Sequence, residues 1–131
     1  MKFVFIFIDG VGVGPSRTET NPIAQLGSSL FPMDLRLLET AELPFDGIAK
    51  AIDANLGVPG LPQSATGQST LFTGVNTPKM LGYHLFAFPN KEIRSLLYRQ
   101  NILKDLRTMG KDAVFINAYP GAEENFIEKK V

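Results

Sequence analysis

Phe3-Val4-Phe5-Ile6-Phe7-Ile8, the longest apolar run in the chain, decides the expected fold class. This first apolar run (residues 3–8) is continuous rather than alternating and is built from aromatic and β-branched residues, which is typical of a strand buried on both faces. A second apolar run, Ala113-Val114-Phe115-Ile116 (residues 113–116), follows a helical pattern. Strands separated by helices are typical of α/β proteins, so the sequence predicts a three-layer sandwich around a mainly parallel sheet.

Shorter patterns predict the elements between the two runs. Asn21-Pro22 is typical of a helix start, with Asn as the N-cap and Pro at the first helical position, so a helix is expected from about Ile23. Alternation over residues 48–53 indicates a half-exposed strand. The sequence also predicts a short helix near residues 34–40, a loop at residues 57–62, and another loop that follows Gly74 and runs through Pro78 and Pro89-Asn90. Helical faces are expected from Ile93, Leu96 and Leu97 and from Ile102, Leu103 and Leu106, with a helix end at Gly110.

Composition narrows the classes of protein and of site. The 131 residues include 13 Lys and Arg, 13 Asp and Glu, no Cys and one His, which is His84. The balanced charge indicates no nucleic-acid or anionic-membrane partner. The lack of Cys excludes disulfides and thiolate metal sites, and a single His excludes imidazole-rich sites built within one chain. No run approaches the roughly 20 apolar residues that span a bilayer, and Asp9 interrupts the first run too early for a signal peptide, so a cytoplasmic protein is expected.

A glycine-rich loop, Asp9-Gly10-Val11-Gly12-Val13-Gly14-Pro15, follows the first apolar run. It does not fit a dinucleotide-binding loop, because Pro15 takes the third glycine position and Asp9 would lie beside the pyrophosphate. The one Gly-Lys pair, Gly110-Lys111, is followed by Asp112 and does not complete a Walker A loop. At the carboxyl end of a buried strand, Asp9 would be placed to bind a hard or borderline cation. The alternative is a turn in which Asp9 accepts from the amides of the glycine-rich loop.

The hydroxyl-rich segment Pro62-Gln63-Ser64-Ala65-Thr66-Gly67-Gln68-Ser69-Thr70-Leu71-Phe72-Thr73-Gly74 (residues 62–74) predicts a helix. Ser64 or Thr66 is expected to cap this helix and Gly74 to end it. The amides of a helix N-terminus bind anions, and a hydroxyl beside a bound cation can lose its proton and become a nucleophile. The alternative is a Ser or Thr cap with no further role.

Taken together, the first apolar run with its glycine-rich loop and the hydroxyl-rich segment resemble the alkaline phosphatase superfamily. More narrowly, they resemble the metalloenzyme domain shared by cofactor-independent phosphoglycerate mutases and phosphopentomutases. The resemblance implies that Asp9 binds one of two divalent metal ions, zinc, manganese or magnesium. It also implies that Ser64 bridges or adjoins the metals, as a metal-site residue, and is the nucleophile that is transiently phosphorylated, with Thr66 as the alternative nucleophile. Gln68 stands where this family has His, which separates the chain from the named mutases.

The same resemblance implies a substrate pocket. The stretches Leu81-Gly82-Tyr83-His84-Leu85-Phe86-Ala87-Phe88-Pro89-Asn90 and Phe115-Ile116-Asn117-Ala118-Tyr119 are similar to an uncharacterised branch of the superfamily. Thr66, Gly67, His84 and Asn117 are then candidates for binding a small phosphorylated substrate. The alternative for His84 and Asn117 is a hydrogen-bonding role within a loop.

The metal site that the resemblance implies needs more ligands than these residues offer. Each divalent ion takes roughly four to six ligands, and the family draws further Asp and His ligands from the C-terminal half of its catalytic domain. His84 lies outside those motifs, and no pattern supports Glu123 or Glu124 as ligands. We therefore expect residues 1–131 to be the N-terminal portion of a single alkaline phosphatase-like metalloenzyme domain, which is an enzyme in its intact form. The alternatives are a phosphodiesterase or sulfatase of the same superfamily, and a non-catalytic α/β fragment that binds an anion or a protein partner.

Overall fold

One hairpin, one 3-10 helix and four α-helices form the regular structure of residues 2–27 and 30–116, the part of the chain that the computed structural model describes. These residues divide between two compact units, Met1–Ala54 and Asn55–Val131. The hairpin and the 3-10 helix belong to the first unit, and the four α-helices belong to the second. No helix in this part of the chain combines the length and the apolar character needed to cross a membrane.

The 3-10 helix of the first unit, Pro22–Leu26, begins where the sequence predicts a helix start. Asn21 is its N-cap, since the side-chain oxygen accepts a hydrogen bond from the Ile23 N–H at 3.1 Å. Proline at the first position is tolerated because that N–H has no partner inside a helix. Gly27 ends the element in a left-handed conformation, with φ of 55°. The N-cap prediction is confirmed, and the element is a short 3-10 helix.

The hairpin consists of β1 (Thr40–Leu43) and β2 (Gly47–Lys50), which pair antiparallel with Leu43 opposite Gly47 at the turn. Side chains along both strands alternate between exposed and half-buried. This alternation arises because successive side chains of a strand point to opposite faces. It confirms the half-exposed strand predicted near the position of β2.

Positive φ values mark the turns around the hairpin. Asp34 and Leu38 adopt φ of 58° and 65°, a left-handed conformation that cannot continue a right-handed helix. The short helix expected near residues 34–40 is therefore wrong, and the segment leads into β1 instead. Phe45 at the hairpin tip has φ of 62°, which a bulky side chain disfavours, and that side chain is 97% exposed.

Neither apolar run forms a strand among the described residues. Exposure in residues 3–8 ranges from 45% at Phe7 to 79% at Val4, and Ile116 in the second run is 90% exposed. A strand buried on both faces needs neighbouring strands for its backbone hydrogen bonds and helices to cover it. The sheet in the described part of the chain is the β1–β2 pair alone. The structure thus differs from these two strand predictions, and the three-layer sandwich stays a prediction.

Four helices build the second unit: α1 (Ser64–Thr73), α2 (Thr77–Leu81), α3 (Lys91–Arg99) and α4 (Ile102–Thr108). α1 contacts each of the other three. Ile93 and Leu96 of α3, 0% and 5% exposed, form the core together with Ala65 of α1. Phe72 of α1 packs edge-on against Phe115, with ring centroids 5.4 Å apart.

The second unit confirms some element predictions and corrects one. α3 buries the apolar face that its sequence predicts, and Gly110 follows α4 with φ of 70° as expected. The loop expected after Gly74 is wrong in one part, because α2 forms over Thr77–Leu81. The Asn76 side-chain oxygen accepts from the Lys79 N–H at 3.0 Å, and proline in a first turn needs no donor.

Candidate functional site

Hydroxyl side chains stabilise α1 by bonding back along the helix. Ser69, Thr70 and Thr73 each donate to the carbonyl oxygen four residues earlier, at distances between 2.6 and 2.9 Å. Residues that would otherwise compete with the helix backbone therefore satisfy their hydroxyls within it. Gly74 ends α1 with φ of 70° and donates its N–H to the Thr70 carbonyl at 2.8 Å. The predicted helix and its glycine end are confirmed.

α1 begins at Ser64 without a side-chain cap. Gln63 is the N-cap residue in an extended conformation, and its side chain makes no hydrogen bond to the first turn. The prediction that Ser64 or Thr66 caps the helix is wrong, because both residues lie inside it. The Gly67 N–H is engaged at 2.9 Å by the Gln63 carbonyl, so any ligand at this terminus would use amides that precede Gly67.

Every other helix in the described residues has an Asn cap. The side-chain oxygens of Asn21, Asn76, Asn90 and Asn101 accept from N–H groups two or three residues ahead, at 2.9 to 3.1 Å. α1 lacks such a cap, and its first turn contains no acidic residue. A helix N-terminus of this kind presents partial positive charge and amide donors to an anion.

The Thr66 hydroxyl is enclosed by the protein. Thr66 is 0% exposed, and its Oγ1 donates to the Gln63 carbonyl at 3.2 Å and accepts from the Leu85 N–H at 3.3 Å. A buried hydroxyl with donor and acceptor both engaged is poorly placed to meet a phosphate ester. Ser64, one position after the N-cap, is half-buried. The geometry favours Ser64 over Thr66 as the hydroxyl that a ligand reaches, and both roles stay predictions.

A second buried threonine, Thr77 of α2, is hydrogen-bonded to the first turn of α1. Thr77 is 0% exposed, and its Oγ1 donates to the Thr66 carbonyl at 2.6 Å. The Thr77 N–H donates to Thr70 Oγ1 at 3.1 Å, which joins α2 to the middle of α1. The sequence analysis missed Thr77. The signal that could have identified it is Asn76 followed closely by Pro78, the same Asn-then-Pro pattern that marks the 3-10 helix.

His84 is half-buried and contacts the loop that precedes α1. Its Nε2 lies 3.0 Å from the Val58 carbonyl oxygen, and because a carbonyl only accepts, Nε2 carries the proton and donates. The ring carbon Cδ2 lies 3.4 Å from the position that a Cβ on Gly60 would occupy. His84 therefore has the loop hydrogen bond that was the alternative to a pocket role, and its contact with substrate stays a prediction.

Asp9 belongs to the first unit, where it is exposed and directly follows the first apolar run. Gly10 after it adopts φ of 73°, a conformation that favours glycine, so the chain turns at this point. Ser64 belongs to the second unit, and the pairing of Asp9 with Ser64 at one metal site stays a prediction. The structure does place four of the candidate residues in the second unit: Ser64, Thr66, Gly67 and His84. Three residues considered above lie outside the described part of the chain: Asn117, Glu123 and Glu124.

Residues 2–27 and 30–116 contain no group of three or more His, Cys, Asp or Glu side chains that could hold a metal ion. A divalent ion takes roughly four to six ligands, of which Asp9 and Ser64 would supply two. The described residues therefore do not fit a complete metal centre. Any centre that includes Asp9 or Ser64 needs ligands from elsewhere.

No family model, curated protein or solved structure matches this chain. The likeness of its two motifs to the alkaline phosphatase superfamily therefore stays a prediction.

Proposed function

We propose that this chain contributes Ser64 and the start of α1 to a metal-dependent phosphoryl-transfer enzyme of the phosphatase or phosphomutase type. The observation that carries the proposal is the N-terminus of α1, where Ser64 is the first helical residue and Gln63 supplies no side-chain cap. A phosphoryl group bound there would meet amide donors and the positive end of the helix dipole. The substrate class that fits is a small phosphorylated molecule, and the proposed location of the protein is the cytoplasm.

The proposed chemistry passes through a phosphoserine. The Ser64 hydroxyl attacks phosphorus in line with the leaving oxygen, so that a bond from serine Oγ to phosphorus forms as the bond to the leaving group breaks. The serine proton passes to solvent, and the leaving oxygen takes up a proton. Water or another hydroxyl then attacks phosphorus and loses its proton to solvent, the bond from phosphorus to serine Oγ breaks, and Oγ takes up a proton as free phosphate or a new phosphate ester is released. First-turn amides of α1 would bind the equatorial oxygens, where charge accumulates.

Asp9 is the proposed protein ligand to one of two divalent ions, zinc, manganese or magnesium. Such ions would supply charge neutralisation for the phosphoryl group. Because the described residues do not fit a complete centre, the further ligands are proposed to come from outside them. What this chain's own residues contribute is therefore narrower: one exposed carboxylate and one helix start that bears a serine.

The second candidate function is a non-catalytic α/β unit that binds an anion or a protein partner through the same helix N-terminus. The start of α1, which has no side-chain cap, favours this non-catalytic function as much as it favours an enzyme, because anion binding needs no nucleophile. A phosphodiesterase or sulfatase of the same superfamily is a third reading. Metal content and ester cleavage separate the non-catalytic reading from the two enzymatic ones.

The test uses the intact protein, in a form that carries the further metal ligands, and compares it with its Ser64→Ala variant in an assay of aryl phosphate hydrolysis with added zinc or manganese, alongside intact mass for a phosphoserine adduct. We expect S64A to lose at least ~100-fold in turnover together with the adduct, because the attacking oxygen is gone. Ser95→Ala is the matched control, since Ser95 is an exposed serine within α3. Turnover undiminished in S64A would show that Ser64 is not the nucleophile. If the intact protein binds neither metal and leaves the ester uncleaved, the non-catalytic function is supported.

A second arm addresses the missing cap directly. Gln63→Ser places a capping hydroxyl where the extended backbone already suits an N-cap, so we expect the free energy of unfolding to rise by about 0.5–1 kcal/mol. If the terminus binds phosphate, the same variant should bind inorganic phosphate more weakly, because the new hydroxyl competes for the first-turn amides. Tighter or unchanged phosphate binding in the stabilised variant would contradict the proposed site.

A further inference from the structure

We infer that His84 is a positioning residue for the start of α1: its imidazole holds the preceding loop while Leu85, the next residue, holds the first turn. The inference rests on the proposed function only in treating Ser64 as the functional group. The contacts themselves join residues far apart in the chain and within one unit. They give His84 a role that the motif likeness does not assign to it.

The loop before α1 is rich in Gly and Pro and contains no regular element, so side chains from elsewhere must fix it. Asn76 Nδ2 donates to the Leu56 carbonyl at 2.9 Å, and His84 Nε2 donates to the Val58 carbonyl at 3.0 Å. The Val58 N–H closes a turn onto the Asn55 carbonyl, also at 3.0 Å, and Val58 itself is 8% exposed. Two donors thus hold two carbonyls of the loop, one on either side of Gly57.

The first turn of α1 is held from the same segment. The Leu85 N–H donates to Thr66 Oγ1 at 3.3 Å, and Thr66 Oγ1 donates in turn to the Gln63 carbonyl at 3.2 Å. Consecutive residues, His84 and Leu85, therefore contact the chain on both sides of Ser64. A shift of this pair would move the loop and the first turn together, and with them the serine.

Histidine suits this position because it combines a donor with a flat ring. Gly60 adopts φ of 116° and has no Cβ, and the ring edge lies 3.4 Å from where that atom would be. A phenylalanine at 84 keeps the ring and loses the donor, whereas a glutamine keeps a donor and loses the ring. The two substitutions separate the hydrogen bond from the ring packing.

The experiment measures amide hydrogen exchange by nuclear magnetic resonance in the full chain for His84→Phe and His84→Gln. We expect H84F to speed exchange at the amides of Val58, Gly67 and Leu85 by roughly five- to tenfold, as the loss of one hydrogen bond predicts for a local opening. H84Q should restore most of the wild-type rates, and α3 should be unaffected in both. Unchanged rates at the three amides, or equal acceleration throughout α3, would overturn the inference.

Gly60→Ala provides an independent perturbation if H84F fails to fold. It strains the loop from the other side of the same contact, because φ of 116° disfavours any side chain. We expect it to accelerate exchange at the same three amides, and acceleration elsewhere alone would count against the inference. Ile93→Val is the matched control, because it weakens the core at a buried position that belongs to α3 rather than to the loop.

A ligand arm separates this inference from the proposed function. Inorganic phosphate titrated into wild-type protein should shift the amides of Ser64 and Ala65, and H84F should weaken that binding several-fold while H84Q restores it. If phosphate does not bind wild-type protein but the exchange pattern holds, the proposed function fails and the positioning role stands. If phosphate binds equally well to wild type and H84F, the positioning role fails and the anion site stands.

Discussion

At the residue scale, the hydroxyls around the start of α1 fall into two groups. Thr66, Ser69 and Thr77 are buried, and each hydroxyl donates to a backbone carbonyl, whereas Ser64 differs from them in being half-buried rather than buried. In the part of the chain that the structure describes, no buried side-chain nitrogen or oxygen lacks a partner. Because burying a hydroxyl is costly unless it is bonded, the first group has structural roles. Position relative to the N-cap, rather than residue type, distinguishes Ser64 from its neighbours.

Thr77→Val should destabilise the second unit by about 1–3 kcal/mol, because it removes a hydroxyl that donates to the Thr66 carbonyl at 2.6 Å from a fully buried position. Urea unfolding followed by far-ultraviolet circular dichroism measures this change, since all four α-helices belong to that unit. Thr108→Val is the matched control. The Thr108 hydroxyl also donates to a carbonyl, at 2.9 Å, but on an exposed surface, so a change below about 0.5 kcal/mol is expected. Equal losses in the two variants would show that burial does not set the contribution of the Thr77 hydroxyl.

Some residue roles follow from local sequence and others do not. Asn21 as an N-cap and Gly74 as a helix end follow from rules that span one turn of helix, and the structure confirms both. The Thr66 hydroxyl accepts a hydrogen bond from the Leu85 N–H, which is distant in the chain. Local patterns carry no information about such a contact. That Gln63 occupies the N-cap position was missed for a different reason. A Ser or Thr inside the first turn of a helix has the same sequence signature as a Ser or Thr that caps the helix.

At the element scale, some of the Asn N-caps do more than begin a helix. Asn76 and Asn101 accept from a helix N–H through Oδ1 while Nδ2 donates to a carbonyl elsewhere, Leu56 in one case and Leu97 in the other. Asn101 thereby joins the end of α3 to the start of α4. Asn90, the cap of α3, shows no such Nδ2 donation among the described residues. An Asn side chain, rather than an Asp side chain, is needed only where Oδ1 accepts a hydrogen bond and Nδ2 also donates one.

Asn101→Asp should cost about 1–3 kcal/mol in the free energy of unfolding, because one carboxylate oxygen would replace the donor that bonds the Leu97 carbonyl at 2.8 Å. Asn90→Asp should change it by less than about 0.5 kcal/mol, since Asp caps a helix as well as Asn does. Urea unfolding of both variants by circular dichroism gives the comparison. A loss in N90D as large as that in N101D would contradict the double role assigned to Asn101.

Helices were easier to predict than the links between them. The sequence signal for α1 is Gly74 at its end, and the signal for α3 is the apolar face that includes Ile93 and Leu96. α2 is short, and its stability comes from Asn76 and from Thr77 packed on α1, so its pattern alone was weak. The helix expected near residues 34–40 was wrong because left-handed residues there are set by the turn into β1.

At the scale of the whole molecule, the main difference from expectation is the exposure of the apolar runs. The sequence predicts that residues 3–8 form a strand buried on both faces, and each of these side chains is at least 45% exposed. An apolar run of this composition indicates that its side chains favour burial. It does not indicate which other segment of the chain would bury them. The sheet order of an α/β domain depends on pairings between distant segments, which one strand pattern cannot specify.

Phe5→Ala distinguishes an exposed first apolar run, as in the structure, from the buried strand that the sequence predicts. With Phe5 57% exposed, we expect a loss of less than about 1 kcal/mol, whereas a phenylalanine in a buried strand would cost about 3–5 kcal/mol. Ile93→Ala is the positive control, because Ile93 is 0% exposed and its truncation should cost about 2–5 kcal/mol. Urea unfolding followed by amide signals from both units provides the measurement. A large loss in F5A would show that the run is buried in solution.

The Asn caps also determine how the protein ages. Asparagine side chains deamidate spontaneously to aspartate on storage, and each event adds one negative charge to a chain whose formal net charge is 0. Where deamidation at Asn90 yields aspartate, the cap is preserved, so that acidic isoform should accumulate as folded protein. Deamidation at Asn76 or Asn101 removes a donor that joins two segments, so those isoforms should unfold and be lost first. Isoelectric focusing of an aged sample would then show a folded acidic band that peptide mapping assigns to position 90.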